Sequence, residues 1–348
     1  MKMKLHQFDL KLKHTFKIAY NERNTQKTLV VELNNGSHSG FGEATSNFYY
    51  GNTIEAMVDI LEKNRQKIEE YNGENPEEFW EIMNPLLSKN SFAQCALDIA
   101  IHDLYGKTKG KPLYKIWNSQ LQNIPKTIPI SNYTIGIDSI ENMVKKMQEF
   151  PWPIYKIKLG TNEDLDIIRE LRKYTDAIFR VDANCAWGVD ETIFNSKELK
   201  KYNVQFIEQP LQADDWEGMK EIYQKSELPL FADESCVTED SIEKCQNHFH
   251  GVNIKLMKCG GLTPARRMIK KAKDLDMKVM IGCMTESSVG ISAISQLLPE
   301  IDEVDMDGSS LLEKDIAKGP SLVNGKIIMS KENGTGVVFQ GLDNEKVL

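Results

Sequence analysis

The sequence predicts an α/β protein, a (β/α)7β TIM-like barrel that follows an N-terminal α+β capping domain. Two observations support this prediction. The first third of the chain groups strand patterns before helical patterns, and the remainder repeats a short apolar strand followed by an amphipathic helix. A barrel of this kind brings the carboxyl ends of its strands together at one mouth, where active sites lie.

The capping domain is predicted from strands that precede helices. The segments KLHQFDLKLK and KTLVVEL alternate like half-exposed strands, and NNG marks a hairpin turn. Helical patterns follow from Thr53 to Tyr71 and from Phe92 to Tyr105. We expect residues 1–115 to form the capping domain and 116–319 the barrel, with 320–348 returning to the capping domain.

The barrel is predicted from a regular repeat. The residues that end successive predicted strands are Lys158, Asp182, Glu208, Asp233, Lys255, Gly282 and Asp307. The steps between them are 24, 26, 25, 22, 27 and 25 residues, and TIPISNYTIG adds one strand in front, giving eight. The alternative is an open doubly wound sheet, which would want a Gly-rich phosphate turn after its first strand, and SNYTIGIDS contains no GxGxxG motif.

Composition excludes two classes of partner. The 348 residues are 41% hydrophobic with a net charge of -8, and no cluster of Lys and Arg with interleaved aromatics could follow a nucleic acid backbone. No unbroken apolar run reaches the length of about 18 residues that a membrane helix needs. We expect a cytoplasmic protein without nucleic acid or membrane partners.

Three carboxylates end consecutive predicted strands. Asp182 ends the third barrel strand, Glu208 the fourth and Asp233 the fifth, so they would lie on one arc of the mouth. Such carboxylates repel each other unless a cation lies between them, and an all-oxygen set suits Mg²⁺. Singly, each residue is typical of a solvated loop or a helix N-cap, but the set of three predicts a metal site.

Two lysines are predicted to face each other across the mouth. Lys158 ends the second strand and Lys255 the sixth, four strands apart in a closed sheet of eight. A carboxylate substrate bound to the metal would hold its α-carbon between them. Lys156, on the same face of YKIKLG as Lys158, would lower the pKa of Lys158 toward that of a general base. Two opposed acid/base groups predict inversion of a stereocentre, whereas a lyase would need one base only.

The last predicted strand adds two carboxylates. In DMDG, Asp305 and Asp307 share one strand face, on the side of the barrel away from the metal arc. They are either a charged strand end that faces water or a pair that binds a cationic group of the substrate. The N-terminal ammonium of a dipeptide would lie at about the right distance from the bound carboxylate.

These motifs together resemble a known family. K-x-K, D-x-N, I-E-Q-P, A-D-E-S and K-x-x-K-x-G-G, in this order and spacing, are similar to the enolase superfamily and specifically to its muconate-lactonizing subgroup, whose chemistry uses a Lys base with Mg²⁺. The aspartates of DMDG resemble those of the dipeptide epimerases, which interconvert L-Ala-L-Glu and L-Ala-D-Glu from cell-wall peptide by 1,1-proton transfer through an enediolate.

The resemblance assigns roles to residues of this chain. It implies one Mg²⁺ per subunit on Asp182, Glu208 and Asp233, with Lys158 and Lys255 as the acid/base pair. The substrate contacts that we expect are Lys156, Asp305, Asp307, Arg23, Thr134 and Met284. Asn184 and Glu234 would support the metal ligands from the adjacent motif positions. A homo-oligomer is usual in the family.

Two neighbouring positions receive different interpretations. Lys258 lies three residues beyond Lys255, past the predicted strand end, and we expect it to be a loop cation. Arg23, in the predicted loop FKIAYNERNTQK, suits the side-chain carboxylate of a second-residue Glu or Asp, or is simply solvated. Cys283, Met284 and Thr285 at the end of the seventh strand are expected to help select the substrate.

Other activities stay open at this point. N-acylamino acid racemase, o-succinylbenzoate synthase and muconate cycloisomerase of the same subgroup would use the same metal ligands and lysines, but their substrates give no reason for Asp305 and Asp307. A barrel that binds Mg²⁺ and a ligand without catalysis would have no use for two opposed lysines.

Overall fold

The computed structural model of the chain describes residues 1–18, 21–118, 127–342 and 345–348. It begins with an antiparallel sheet of three long strands, β1 (Lys2–Ile18), β2 (Asn21–Asn34) and β3 (Ser39–Thr45). The prediction of a loop around Arg23 is wrong, because β1 and β2 continue as a hairpin in which Phe16 pairs with Arg23. The pairing register shifts between Lys11 and Phe16, which marks an irregularity in this hairpin.

Five helices follow this sheet, and they are α1 (Ile54–Lys63), α2 (Arg65–Glu70), α3 (Pro76–Leu87), α4 (Ser91–Thr108) and α5 (Leu113–Trp117). The single helix predicted from Thr53 is divided at Asn64 into α1 and α2. Neither α3 nor α5 was predicted. Helix α3 carries Pro85 inside its last turn, which interrupts the sequence pattern without ending the helix.

Two glycines of β3 let the sheet approach α4 closely. A Cβ added at Gly42 would lie 2.1 Å from the carbonyl oxygen of Ala96, and one at Gly40 would lie 2.2 Å from that of Ala100. Helix α4 is buried on nearly all sides because it packs on β3 and also contacts the barrel. This arrangement attaches the first sheet to the barrel.

The barrel contains eight parallel strands, in agreement with the predicted fold. They are β4 (Tyr133–Ile135), β5 (Ile154–Lys158), β6 (Ile178–Asp182), β7 (Val204–Glu208), β8 (Leu230–Ala232), β9 (Gly251–Ile254), β10 (Lys278–Gly282) and β11 (Glu303–Asp305). Strands adjacent in sequence are adjacent in the sheet, and a bridge between Ser131 and Val304 brings the first strand against the last. The barrel is therefore nearly closed.

Helices connect the strands on the outside of the barrel, and they are α6 (Ile140–Glu149), α7 (Asp164–Arg172), α8 (Val189–Leu199), α9 (Trp216–Lys225), α10 (Glu239–Cys245), α11 (Leu256–Cys259), α12 (Leu262–Asp274) and α13 (Ser288–Ser295). The prediction that SSVGISAISQLL contains the last of them is confirmed by α13. Helix α11 is a single extra turn between β9 and α12, and it changes the position of Lys258.

The C-terminal segment forms short strands, which are β12 (Ala317–Lys318), β13 (Ser321–Val323), β14 (Lys326–Ile328), β15 (Val338–Phe339) and β16 (Lys346–Val347). Strand β16 pairs with β1, where Val347 lies opposite His6. The exact domain limits stay a prediction. Within the described residues, no helix combines the length and the apolar character needed to cross a membrane.

Candidate active site

Three carboxylates meet where β6, β7 and β8 end. Asp182 and Glu208 are the last residues of β6 and β7, and Asp233 follows β8 directly. Each offers an oxygen within 4.8 Å of the others, and all three side chains are buried. The strand ends thus bring together the three residues that the sequence predicts as metal ligands.

The backbone around these carboxylates is unusual. Asn184, Cys185 and Gln209 have φ angles of 44°, 66° and 35°, a left-handed region that residues other than glycine seldom occupy. In the IEQP motif this turn directs the Gln209 side chain toward the next strand. Such strain persists where surrounding contacts hold it and is common at functional sites.

Gln209 connects the loops that carry the carboxylates. Its side-chain oxygen accepts hydrogen bonds from the backbone N–H groups of Asp233 at 3.0 Å and Ser235 at 3.1 Å. Its amide nitrogen donates to Leu211 and to Ser235 Oγ at 3.0 and 2.9 Å. The buried amide therefore fixes the position of Asp233 relative to Glu208, a role that our sequence reasoning missed.

Lys158 and Lys255 approach the carboxylates from opposite sides. Lys158 Nζ lies 2.6 Å from Oδ2 of Asp182, and Lys255 Nζ lies 2.6 Å from Oδ2 of Asp233. Both lysines line the same cavity and are largely buried. The structure thus places them as the sequence predicts, on β5 and just after β9.

Lys156 lies among the three carboxylates Asp182, Glu208 and Asp233, which we call the acidic cluster. Its ammonium is 2.8 Å from Glu208, 2.9 Å from Asp305 and 3.1 Å from Asp182. Burial acts to lower the pKa of Lys156, but Asp305 and the other carboxylates outweigh it and hold the pKa well above its ordinary value. The surrounding carboxylates thus favour the charged form of Lys156.

The prediction for Lys258 is wrong. Helix α11 turns this residue back toward the barrel, where it is 1% exposed. Its ammonium donates to Oδ1 of Asp233 at 2.6 Å, to the carbonyl of Asn253 at 3.1 Å and to the carbonyl of Asp233. Asn253 in turn donates to Glu208 at 2.8 Å. The sequence signal for Asn253 is its place two residues before Lys255, on the same strand face.

The acidic cluster fits a divalent cation. Mg²⁺ takes oxygen ligands, and two further buried oxygens, Asn184 Oδ1 and Glu234 Oε2, have no hydrogen-bond partner among the described residues. Asn184 Nδ2 donates to the other oxygen of Glu234 at 3.2 Å. These two residues thus lie beside the predicted ligands with oxygen atoms available for a hydrated ion.

The electrostatics of the cluster give neighbouring carboxyl groups very different pKa values. Burial, with Asp182 next in effect, raises the pKa of Glu208 to about 7. Burial and the charge of Asp233 raise the pKa of Glu234 to about 8. Burial acts in the same direction on Asp182, but Lys158 and Lys156 outweigh it and lower the pKa of Asp182 to about 2. Such divergence is expected where negative charges crowd in a buried site.

Asp305 and Asp307 have different surroundings. Asp305 accepts hydrogen bonds from Lys156 at 2.9 Å and from Asn132 at 2.8 Å, so Lys156 connects it to the acidic cluster. Asp307 accepts from the backbone N–H of Thr134 at 2.5 Å. Burial, with Asp305 next, raises the pKa of Asp307 to about 7. The predicted separation of both aspartates from the metal arc is therefore wrong for Asp305, which Lys156 joins to it.

The first sheet and the barrel together wall the cavity. On the barrel side Thr134, Met284 and Thr285 line it, and on the other side Arg23 and Phe16 of the hairpin line it with Tyr49. Arg23 donates to Thr285 Oγ1 at 2.8 Å, and its guanidinium lies 5.5 Å from the ring centre of Phe16. The expected substrate contacts thus face one space.

Comparison with known proteins identifies related chains. The family model described as mandelate racemase / muconate lactonizing enzyme, N-terminal domain, matches residues 2–117, and enolase C-terminal domain-like matches residues 138–343. An L-Ala-D/L-amino acid epimerase of Flavobacterium johnsoniae is 57% identical over 97% of this chain and 100% of its own. An L-Ala-D/L-Glu epimerase of Bacteroides thetaiotaomicron is 37% identical over 97% of this chain and 88% of its own.

A solved structure shows the same architecture. The dipeptide epimerase of Cytophaga hutchinsonii, complexed with Mg and the dipeptide D-Ala-L-Val, superposes with a TM-score of 0.90. It is 25% identical to this chain and covers 99% of this chain and 98% of its own. The similarity therefore extends through both the first sheet and the barrel.

Proposed function

This chain belongs to the mandelate racemase and muconate lactonizing enzyme family, and we propose that it is a Mg²⁺-dependent dipeptide epimerase that inverts the α-carbon of the second residue. The observation that carries the proposal is the placement of two lysines on opposite sides of one cavity that also contains Asp307. Close relatives named as epimerases of L-Ala dipeptides support it.

Asp182, Glu208 and Asp233 would hold one Mg²⁺ per subunit, with Asn184 and Glu234 beside them. When bound, Mg²⁺ supplies positive charge that stabilises the substrate carboxylate as it gains a second negative charge. Lys156 and Lys258 add fixed positive charge from the protein, since each is bonded to a proposed ligand. This charge lowers the cost of removing an α-proton.

Lys158 and Lys255 transfer protons to and from the α-carbon of the substrate. One amine takes the α-proton from its face of the substrate, and the other ammonium returns a proton to the opposite face, which inverts the centre. The carboxylates of Asp182 and Asp233 orient the two amines toward the cavity, as the distances of 2.6 Å indicate. The two lysines exchange roles for the reverse reaction.

The dipeptide ammonium is proposed to bind Asp307, with Asp305 close by. Asp307 lines the cavity and is held by the backbone of Thr134, whereas Asp305 is already paired with Lys156. A substrate ammonium would keep Asp307 ionised by offsetting the burial that raises its pKa. N-acyl amino acids lack this charge, so the site favours a free amine.

We propose that the enzyme accepts Glu as the second residue of the dipeptide. Arg23 lines the cavity and could bind a side-chain carboxylate while Thr285 orients its guanidinium. L-Ala-L-Glu and L-Ala-D-Glu are therefore our first candidate substrates. The Flavobacterium johnsoniae relative is named for amino acids in general, which supports a range of second residues around Glu.

The test compares free and blocked amines. We expect kcat/KM for L-Ala-L-Glu to exceed that for N-acetyl-L-Ala-L-Glu by about 100-fold, a difference of ~2.7 kcal/mol that charge-assisted hydrogen bonds supply. Asp307→Asn should remove most of this preference. The control is Asp302→Asn, because Asp302 bonds Lys278 and Val279 at the other end of the barrel. Equal activity on both substrates would refute the dipeptide assignment.

A further inference from the structure

The active-site cavity adjoins a second cavity on the hairpin side of the barrel. Phe16, Thr134 and Leu311 line both, so these three side chains form the wall between them. The second cavity continues past Leu12 and Tyr133 and reaches three basic residues, Lys13, His14 and Lys146. None of these basic residues belongs to the proposed catalytic set.

The wall lies at the end of the active site where the dipeptide ammonium is proposed to bind. Thr134 donates its backbone N–H to Asp307 at 2.5 Å. Leu311 closes the 3-10 helix Gly308–Leu311, which begins directly after Asp307. The α-carbon of the first residue is one covalent bond from its ammonium. The side chain of that residue therefore emerges next to the wall.

We propose that Leu311 limits the first residue of the substrate to a small side chain and separates it from a subsite suited to a longer, acidic one. The inference rests on the proposed function, because it takes the ammonium position from Asp307. Leu311 is half-buried at the end of a short 3-10 helix and lines both cavities. Its side chain therefore occupies the space between them. Its truncation would join them.

The lining of the second cavity indicates what kind of side chain it could bind. Leu12 and Tyr133 offer apolar surface for methylene groups, and the basic residues lie beyond them. Lys146 is paired with Asp138 at 2.9 Å, and His14 lies 3.6 Å from Glu149, so part of their charge is offset. Lys13 donates to the neutral carbonyl of Ser310 at 2.9 Å and lies 5.8 Å from the ring centre of Phe150, and neither contact neutralises its charge toward an anion. An apolar stem that ends in a carboxylate, as in Glu, matches this lining.

The first experiment measures first-residue selectivity. Wild-type and Leu311→Ala proteins are assayed with L-Ala-L-X, L-Met-L-X and L-Glu-L-X, where X is the second residue that the wild type prefers after L-Ala. We expect the wild type to favour L-Ala by at least about 100-fold and Leu311→Ala to reduce that ratio by about 10-fold, since one or more methylene groups in a pocket change selectivity by that order. Leu311→Val, a milder change, should give an intermediate ratio.

The second experiment tests the charge of the subsite. In the Leu311→Ala protein, L-Glu-L-X should be processed better than L-Gln-L-X, which has the same shape. Adding Lys13→Met should abolish that difference. Adding Lys145→Met instead should not, because Lys145 lies on the exposed side of α6 and lines neither cavity. Far-ultraviolet circular dichroism and melting curves confirm that each variant is folded.

The outcomes are distinguishable. An active wild type whose first-residue ratio is unchanged in both Leu311 variants contradicts the inference alone, as does a widened tolerance at the second residue instead of the first. Equal turnover of L-Glu and L-Gln dipeptides contradicts the acidic subsite. A wild type without activity on any L-Ala dipeptide contradicts the proposed function, and the inference with it.

Discussion

At the scale of single residues, the proposed proton transfer depends on Lys158 and Lys255. Lys158 ends β5 and Lys255 directly follows β9, four strands away in a barrel of eight, and each is bonded to a different carboxylate of the acidic cluster. A planar intermediate between them would be open to proton transfer from both faces. Because each lysine serves one face, the loss of either one should affect the two stereoisomers unequally.

We expect Lys158→Ala and Lys255→Ala each to reduce epimerisation by about 10²–10⁴-fold, the usual contribution of a positioned acid or base. Each variant should still exchange the α-proton of one stereoisomer with D₂O, and the two variants should differ in which isomer that is. Proton NMR of L-Ala-L-Glu and L-Ala-D-Glu in D₂O measures this. Loss of exchange from the same isomer in both variants would disprove the assignment of opposite faces.

Gln209 shows how a residue outside the proposed ligand set positions it. Gln209→Leu leaves the N–H groups of Asp233 and Ser235 without their partner, and we expect Mg²⁺ affinity to fall by about 10–100-fold. Calorimetric titration with Mg²⁺ measures this without reference to activity. Gln205→Leu is the matched control, because Gln205 lies on β7, which Gln209 directly follows, but bonds Arg180 and Glu303. Equal losses in both variants would indicate a general structural effect instead.

Sequence periodicity could predict the carboxylates and the two lysines, because all of them end strands at one mouth. It could not predict the position of Lys258, which depends on the single helical turn α11. Nor could it predict that Lys156 connects Asp305 to Glu208, since that contact joins strands far apart in sequence. Spacing identifies which residues reach the mouth, whereas their pairings depend on side-chain packing there.

At the scale of elements, β3 holds the loop that follows β10. Glu43 of β3 is fully buried and accepts hydrogen bonds from Ser287 N–H at 3.0 Å, Ser287 Oγ at 2.5 Å and Gly290 N–H at 3.0 Å. Ser287 is the N-cap of α13. A carboxylate at a helix N-terminus is favoured by the helix dipole. Glu43 thereby fixes the loop that presents Met284 and Thr285 to the cavity.

We expect Glu43→Gln to raise the KM for dipeptides by about 10-fold with a smaller change in kcat, because charge-assisted hydrogen bonds contribute about 1.5–3 kcal/mol and their loss displaces a substrate-facing loop. Mg²⁺ affinity should be unaffected. Glu32→Gln serves as control, since Glu32 bonds His6 and Ser39 within the first sheet. A fall in kcat with unchanged KM would contradict the role in positioning this loop.

Helix α4 contacts α12 through a buried acid whose ionisation is costly. Asp98 accepts hydrogen bonds from Thr263 N–H at 3.0 Å and Oγ1 at 2.8 Å. Burial raises the pKa of Asp98 from 3.8 to about 7. The folded protein therefore keeps a proton that the unfolded chain releases near pH 4. The stability from this group is complete below the unfolded pKa and is lost as the pH rises to about 7.

We expect the wild type to lose stability relative to Asp98→Asn as the pH rises from about 5 to 7, at about 1.4 kcal/mol per pH unit. Urea unfolding of both proteins at several pH values measures this difference. Above about pH 7 the two curves should run parallel. A difference that stays constant from pH 5 to 7 would mean that Asp98 is already ionised in the folded state.

The elements themselves were predictable to different degrees. The eight barrel strands are short apolar runs of regular spacing, and each appears within the run that the sequence predicts. The predicted ends of three strands are wrong by one or two residues, because Asp233, Lys255 and Asp307 follow β8, β9 and β11. Pro85 obscures the helical pattern of α3, and the sequence predicts a loop around Arg23 because polar residues dominate the hairpin there. In that hairpin the polar composition favours a loop, but pairing between the two strands produces a β structure. Local sequence patterns do not reveal such pairing.

At the scale of the whole molecule, the cavity exists only because the first sheet lies over the barrel mouth. Arg23 and Phe16 come from the hairpin, whereas the lysines and carboxylates come from the barrel strands. The contact Arg23–Thr285 joins the two at the cavity, and the contact Glu43–Ser287 joins them in the buried interior. The sequence predicts both modules from their patterns, but the fit between them depends on tertiary contacts that no spacing encodes. Under the proposed function, the chemistry would belong to the barrel, and the first sheet and the barrel would both contribute to substrate selectivity.

The proposed reaction inverts the α-carbon of the second residue by proton transfer at both of its faces. The most direct measurement incubates the wild-type protein and Mg²⁺ with L-Ala-L-Glu in D₂O and follows mass and configuration together. We predict one deuterium at the α-carbon of Glu, accumulation of L-Ala-D-Glu, and the same equilibrium from either isomer. Absence of α-deuterium with L-Ala-L-Glu and with a panel of other L-Ala dipeptides would contradict this mechanism.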